Sequence, residues 1–217
     1  MNVNINLYKM QRSIVMKDSN LLFAPTLNNY RERPKWLMNL ILVIILSVAS
    51  IWITSITTNL TADLKEAGLS ETEIDQMSTF TTVFAYIGGI LAPIIGIAFS
   101  FLIFLIISKI MKSDVKASSL FAAATFVKLI TTIFNFIVIV IIAIVGLDPV
   151  KHSITSLSVF SQSNDYLGVF DLSTLLAAYL FGVVLYATSR FKGKTVVIWT
   201  VIYLVVVVGI GLIQASI

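Results

Sequence analysis

Apolar residues in this chain come in long unbroken runs, and five of the runs reach the length of a bilayer crossing. A helix needs about 20 apolar residues to cover about 30 Å of hydrocarbon. The runs occupy residues 36–56, 83–107, 120–145, 172–189 and 195–212. The first opens at Pro34 and Trp36 and carries no charge, the second is long enough to tilt or bend, and the third is interrupted by Lys128. Strands of a membrane barrel alternate apolar and polar positions, whereas residues 137–145 are apolar throughout. The pattern predicts an all-α polytopic membrane protein, a five-transmembrane-helix bundle over 36–212, preceded by an N-terminal segment 1–35 and carrying external loops 57–82 and 146–171. The first run is too long for a signal-peptide core, and too much chain precedes it, so it reads as retained.

The charges give this bundle a direction. The segment before the first run, the second connection and the fourth connection together hold 12 Lys or Arg against 3 acids. The first and third connections hold 2 Lys against 8 acids. Short loops rich in Lys and Arg stay in the cytoplasm, which predicts a cytoplasmic N terminus and, with five spans, an extracytoplasmic C terminus. Topology and anionic lipid headgroups account for the basic residues, so the net charge of +4 does not point to nucleic acid.

Outside the runs, Leu7, Met10 and Ile14 recur at helical spacing, as in a helix lying in the headgroup layer, or else in a flexible tail. Pro25 and Pro34 each disfavour helix at the preceding residue, which predicts turns before the first span. The first external loop reads as a small helical hairpin. One helix spans 62–67 and stops at Gly68; the second opens on the Ser70/Glu73 capping-box spacing and ends near Met77. The loop 146–171 reads as a partly amphipathic segment against the outer leaflet. It holds the sole histidine, His152, which without a second histidine or any cysteine reads as an exposed loop residue and not a zinc ligand.

Three features inside the runs carry candidate function. Gly88, Ala92, Gly96 and Ser100 recur every four residues and form a ridge of small side chains, the kind of surface that lets helices approach closely in lipid, either inside the bundle or against a partner. Gly88, Gly89 and Pro93 weaken the same helix, since proline leaves a carbonyl without its N–H. Lys128 has no acid in any run to pair with; it reads as an anchor snorkelling to the cytoplasmic headgroups or as a functional charge. Asn135, with Thr131 and Thr132, reads as an interhelical hydrogen bonder or as part of a substrate path.

Composition sharpens the exclusions. At 58% hydrophobic and 12% charged, with no cysteine, the chain lies outside the range of soluble domains and cannot form a disulfide framework or a thiolate metal site. No nucleophile elbow, HExxH, phosphate loop or paired intramembrane acids are present, so enzyme chemistry, cofactors and metals are not expected.

Leu22-Phe23-Ala24-Pro25-Thr26 precedes Arg33-Pro34-Lys35-Trp36 at the head of the first run. The second run contains Gly and Pro and ends in Lys109 and Lys112; Phe170-Asp171-Leu172, Gly182 and a basic turn from Arg190 to Lys194 follow. Over most of residues 21–212 this order resembles the Yip family, the Ypt/Rab-interacting type of five-span membrane proteins, in its short bacterial form. The third run, with Lys128 and no nearby proline, departs from the family pattern. The resemblance implies a non-enzymatic protein acting through partners, in eukaryotes small GTPases and trafficking factors. For a bacterial-type chain it implies a cytoplasmic-membrane scaffold or accessory subunit, of an ABC-type export complex or in envelope-stress or toxin resistance. Its partners would be the lipid bilayer and another membrane protein or a second copy of itself. The alternative from the residues is a small transporter or channel component using the polar groups of the second and third runs.

Overall fold

The long apolar runs fold as helices because lipid offers no hydrogen bonds to the backbone, so each segment must satisfy its own N–H and C=O groups. A computed structural model describes residues 19–217 apart from 67, 162 and 163. The proposed headgroup helix around Leu7, Met10 and Ile14 lies outside the described residues. These form helices α1 (Ala24–Glu32), α2 (Leu37–Thr57), α3 (Leu60–Glu66), α4 (Glu71–Ile110) and α5 (Ala117–Ile144). There follow a 3₁₀ turn at Leu157–Phe160, α6 (Asp165–Gly168), α7 (Leu172–Val183) and α8 (Gly193–Gln214). No strand is present among the described residues, only an isolated bridge between Ser156 and Asp171.

Four of these helices, α2, α4, α5 and α8, are long and apolar enough to cross a membrane. The run 172–189 is shorter than a crossing. Its helix spans Leu172–Thr188, and the last five residues widen into a π-turn at Val184–Thr188. At about 1.5 Å per residue such a 17-residue stretch reaches about 25 Å, short of the hydrocarbon.

Two expectations are corrected. The second helix of the external hairpin does not end near Met77. The Ser70/Glu73 capping box opens it as expected, but α4 then runs 40 residues to Ile110. Nothing in Ser78-Thr79-Phe80-Thr81-Thr82 supplies a stop: no Gly, no Pro and no competing cap follow the first turn. The same helix passes through Gly88, Gly89 and Pro93 without a break, since in a membrane bundle the carbonyl that proline frees can be accommodated by neighbouring groups. The second correction is α1. Pro25 sits in its first turn, where its missing N–H costs nothing, so it starts a helix instead of breaking one. Phe23 precedes it at φ 69. Pro34 does mark a break: α1 ends at Glu32, Arg33 bends the chain, and residues 34–36 are not helical before α2 begins.

Packing is uneven along the bundle. Ala24 and Leu27 of α1, Phe104 and Ile107 of α4, Leu120, Ala123, Ala124 and Phe126 of α5, and Val183 to Leu185 form one buried cluster. It lies at the end where the basic connections meet, the basic end. Edge-to-face rings tie its rim: Phe126 meets Phe23 at 5.6 Å and Tyr30 at 5.5 Å, and Phe121 meets Trp36 at 5.3 Å. Toward the acidic end the helices bury little; α8 has no buried residue at all.

Candidate functional site

Polar side chains gather at the basic end and in the loops of the acidic end, and Lys128 lies at the α4–α5 contact between them. At the basic end the π-turn is the key element. Ser189 N–H bonds back to the Val184 carbonyl at 3.1 Å, and Arg190 at φ 58 turns the chain away from the helix. The Thr188 carbonyl is thereby an orphan of the helix end. Arg31 of α1 takes it with one guanidinium nitrogen and pairs with Asp114 through another. Around this pair, Thr188 Oγ1 donates to the Leu27 carbonyl at 3.2 Å and Ser119 Oγ to the Arg31 carbonyl at 2.9 Å. Ser108 and Ser189 share a hydroxyl bond at 3.0 Å, and Ser113 Oγ donates to the Ser189 carbonyl at 2.9 Å. Arg190 reaches Asn28 Oδ1 at 3.3 Å and Glu32 at 4.0 Å. Asn28, Ser108, Ser119, Thr188 and Ser189 are all buried. Buried polar groups need such partners, and this set closes α1, the 111–116 connection and the π-turn onto one another. Tyr179 OH extends the seam by donating to the Leu22 carbonyl at 3.1 Å.

Sequence reasoning did not find this cluster. Its members are far apart in the chain and follow no period. What was legible was the end of each element: the Pro34 turn, and the Ser189-Arg190 stop before Gly193.

The ridge Gly88, Ala92, Gly96 and Ser100 is divided by the structure. Gly88 and Ala92 are exposed, and no atom lies within 4 Å of where a Gly88 Cβ would be. Gly96 and Ser100 are half-buried. The close approach is instead at Gly89, where an added Cβ would sit 1.8 Å from Ile51 Cδ1 of α2. Pro93, Ile97, Phe104 and Ile107 continue that buried face, so the contact surface is rotated by one residue at its far end. Gly96 has a second role. Lys128 Nζ of α5 lies 3.8 Å from where its Cβ would be, which brings two of the sequence-derived candidates together. Lys128 is half-buried, and Asn135 is exposed.

At the acidic end the loops organise on two carboxylates. Asp148 accepts from Thr58 Oγ1 at 2.7 Å and from Val150 N–H at 2.8 Å. Partial burial opposes its ionisation, but the bonds from Thr58 and Val150, with Lys151 and His152 nearby, hold its carboxyl below its ordinary value. Asp171 caps α7, accepting from Ser173 N–H at 2.6 Å and from Thr155 Oγ1 at 2.8 Å. His152 is half-buried, not exposed, with its Nδ1 3.2 Å from the Asp148 carbonyl oxygen. Among the described residues no three His, Cys, Asp or Glu gather as a metal site.

The described residues, helical without strands and with four apolar helices of bilayer length, make this a multi-pass integral membrane protein. Within that class the chain belongs to the Yip1 domain family, whose model matches residues 19–215. No curated protein and no solved structure matches it. Two of the segments that carried the resemblance meet: Leu22 to Thr26 opens α1, and Arg190 of the basic turn reaches Asn28 of that helix.

Proposed function

We propose that this chain is a non-enzymatic five-span scaffold or accessory subunit that acts through membrane-protein partners, with its basic end in the cytoplasm and its C terminus outside. The observation that carries the reading is how the buried polar side chains are used. Asn28, Ser108, Ser119, Thr188 and Ser189 each bond to another segment of the same chain and tie α1, α4, α5 and the π-turn together. They build a shape and do not converge on a substrate. The family is not known for enzymatic activity, which supports the same reading. The unbroken α4 removes the helix break that would have favoured a transporter.

The fifth span rests on α7 with its π-turn. Aromatic and amphipathic residues around it, and local thinning of the bilayer, would make up the few ångströms that 17 residues leave uncovered. Purification of the full chain in mild detergent, followed by identification of co-purifying proteins, tests the partner role. A stable complex with a membrane protein or a second copy is expected; a lone monomer overturns it. A reporter fused after Ile217 should be active only outside the cytoplasm. A cytoplasmic signal there would remove the five-span topology.

A further inference from the structure

We propose that Lys128 and Gly96 hold a phospholipid between α4 and α5, its phosphate on the Lys128 ammonium. This goes beyond the scaffold reading and does not depend on it. Lys128 Nζ lies over the bare backbone of Gly96, 3.8 Å from where a Cβ would be, and makes no hydrogen bond or ion pair among the described residues. An ammonium in that setting needs an anion. The chain cannot supply one, because all 11 of its Asp and Glu residues lie outside the runs that hold Lys128 and its neighbours. A second copy of the chain brings no carboxylate to this depth either. The bilayer does supply anions, since every phospholipid carries a phosphate at the level a lysine reaches by snorkelling.

The surroundings fit the rest of the lipid. Thr132 lies one helical turn beyond Lys128 on the same face, about 6 Å further from the basic end. Its hydroxyl makes no bond within the protein among the described residues. That is the level of the ester carbonyls beneath a lipid phosphate, to which the hydroxyl can donate. Gly96 lets the ammonium settle against the α4 backbone, and a large side chain there would displace it from the phosphate.

The test uses the full chain in vesicles of phosphatidylglycerol, part of it carrying a photoactivatable group. Adducts on the wild-type chain should map to α4 around Gly96 and α5 around Lys128; their absence from both helices overturns the proposal without requiring any variant to fold. Native mass spectrometry then counts retained phosphatidylglycerol. Lys128→Met and Gly96→Leu should each lower retention about tenfold, the loss of one charge-assisted hydrogen bond. Lys128→Arg should keep it. Unchanged retention in Lys128→Met overturns the site. Displacement of the lipid by added inorganic phosphate would make a free anion the ligand, and a crosslink from Lys128 to a protein carboxylate would make a protein the occupant; either overturns the lipid assignment.

Discussion

At the basic end, α1, α4, α5 and the π-turn share one apolar cluster and a closed set of buried hydrogen bonds. At the acidic end the same long helices show their side chains to lipid, and the polar groups there bond among the connecting loops, as Asp148 does with Thr58 of the first external loop and Val150 of its own. The contrast follows from what lipid can and cannot do. It solvates Leu and Ile as well as another helix does, so apolar contact alone gives helices little reason to associate there. It cannot solvate Ser, Thr or Asn, so these groups seek one another wherever the fold removes them from water. The basic end is therefore the place where the bundle has a specified arrangement.

Variants can break this contrast. Phe104→Ala should have the largest effect. The ring is 2% exposed and stacks on Phe181 at 5.4 Å, so its removal should cost about 3–5 kcal/mol. Phe99→Ala on the same helix, at 66% exposed, should cost under about 0.5 kcal/mol. Unfolding by detergent titration reads both; equal costs would mean that the two ends are packed alike. Arg31→Met comes next, at about 2–3 kcal/mol. Most of that loss comes from the Thr188 carbonyl left without a donor, because the Asp114 limb is more than half exposed and screened. Proteolysis between α1 and α2 should then accelerate, and an unchanged cleavage rate would show that the guanidinium does not hold α1.

Ser108→Ala should cost about 1 kcal/mol by leaving the buried Ser189 hydroxyl one partner short. Replacing both serines with alanine should recover part of the loss in the same titration. The smallest effect belongs to the acidic end. Asp148 has a folded pKa below its unfolded value, so its contribution is present above about pH 3.9 and fades as pH falls through the lower folded value. Hydrogen exchange at Val150 should show that fading in the wild type and a flat acid limb in Asp148→Asn. Matching profiles would remove Asp148 as the organiser of its loop.

The long helices were legible because a bilayer crossing leaves a signature of length and apolarity that little else produces. The start of α4 was legible too, since the Ser70/Glu73 pair satisfies the first orphan N–H groups wherever it occurs. The continuity of α4 was not. Its first turns carry acids and threonines, which read as a water-facing hairpin, while the helix continues for want of anything to stop it. The role of Pro25 was not legible, because a proline's effect depends on its position in the turn, which the sequence alone leaves open. The Arg31–Asp114–Thr188 cluster left no trace, because its members lie 83 and 157 residues apart. The meeting of Gly96 and Lys128 was hidden likewise: each was visible, but their contact depends on how α4 and α5 cross.

The unbroken α4 is also a beam. At 40 residues it is about 60 Å long, twice the hydrocarbon thickness, and it is gripped near its middle, where Gly89 lets Ile51 press against the backbone. One end carries the capped hairpin at the acidic end, and the other carries Phe104, Ile107 and Ser108 into the buried cluster. The capping box at Ser70 and the hydroxyl bond between Ser108 and Ser189 are therefore carried by one continuous helix, on either side of the Gly89 contact.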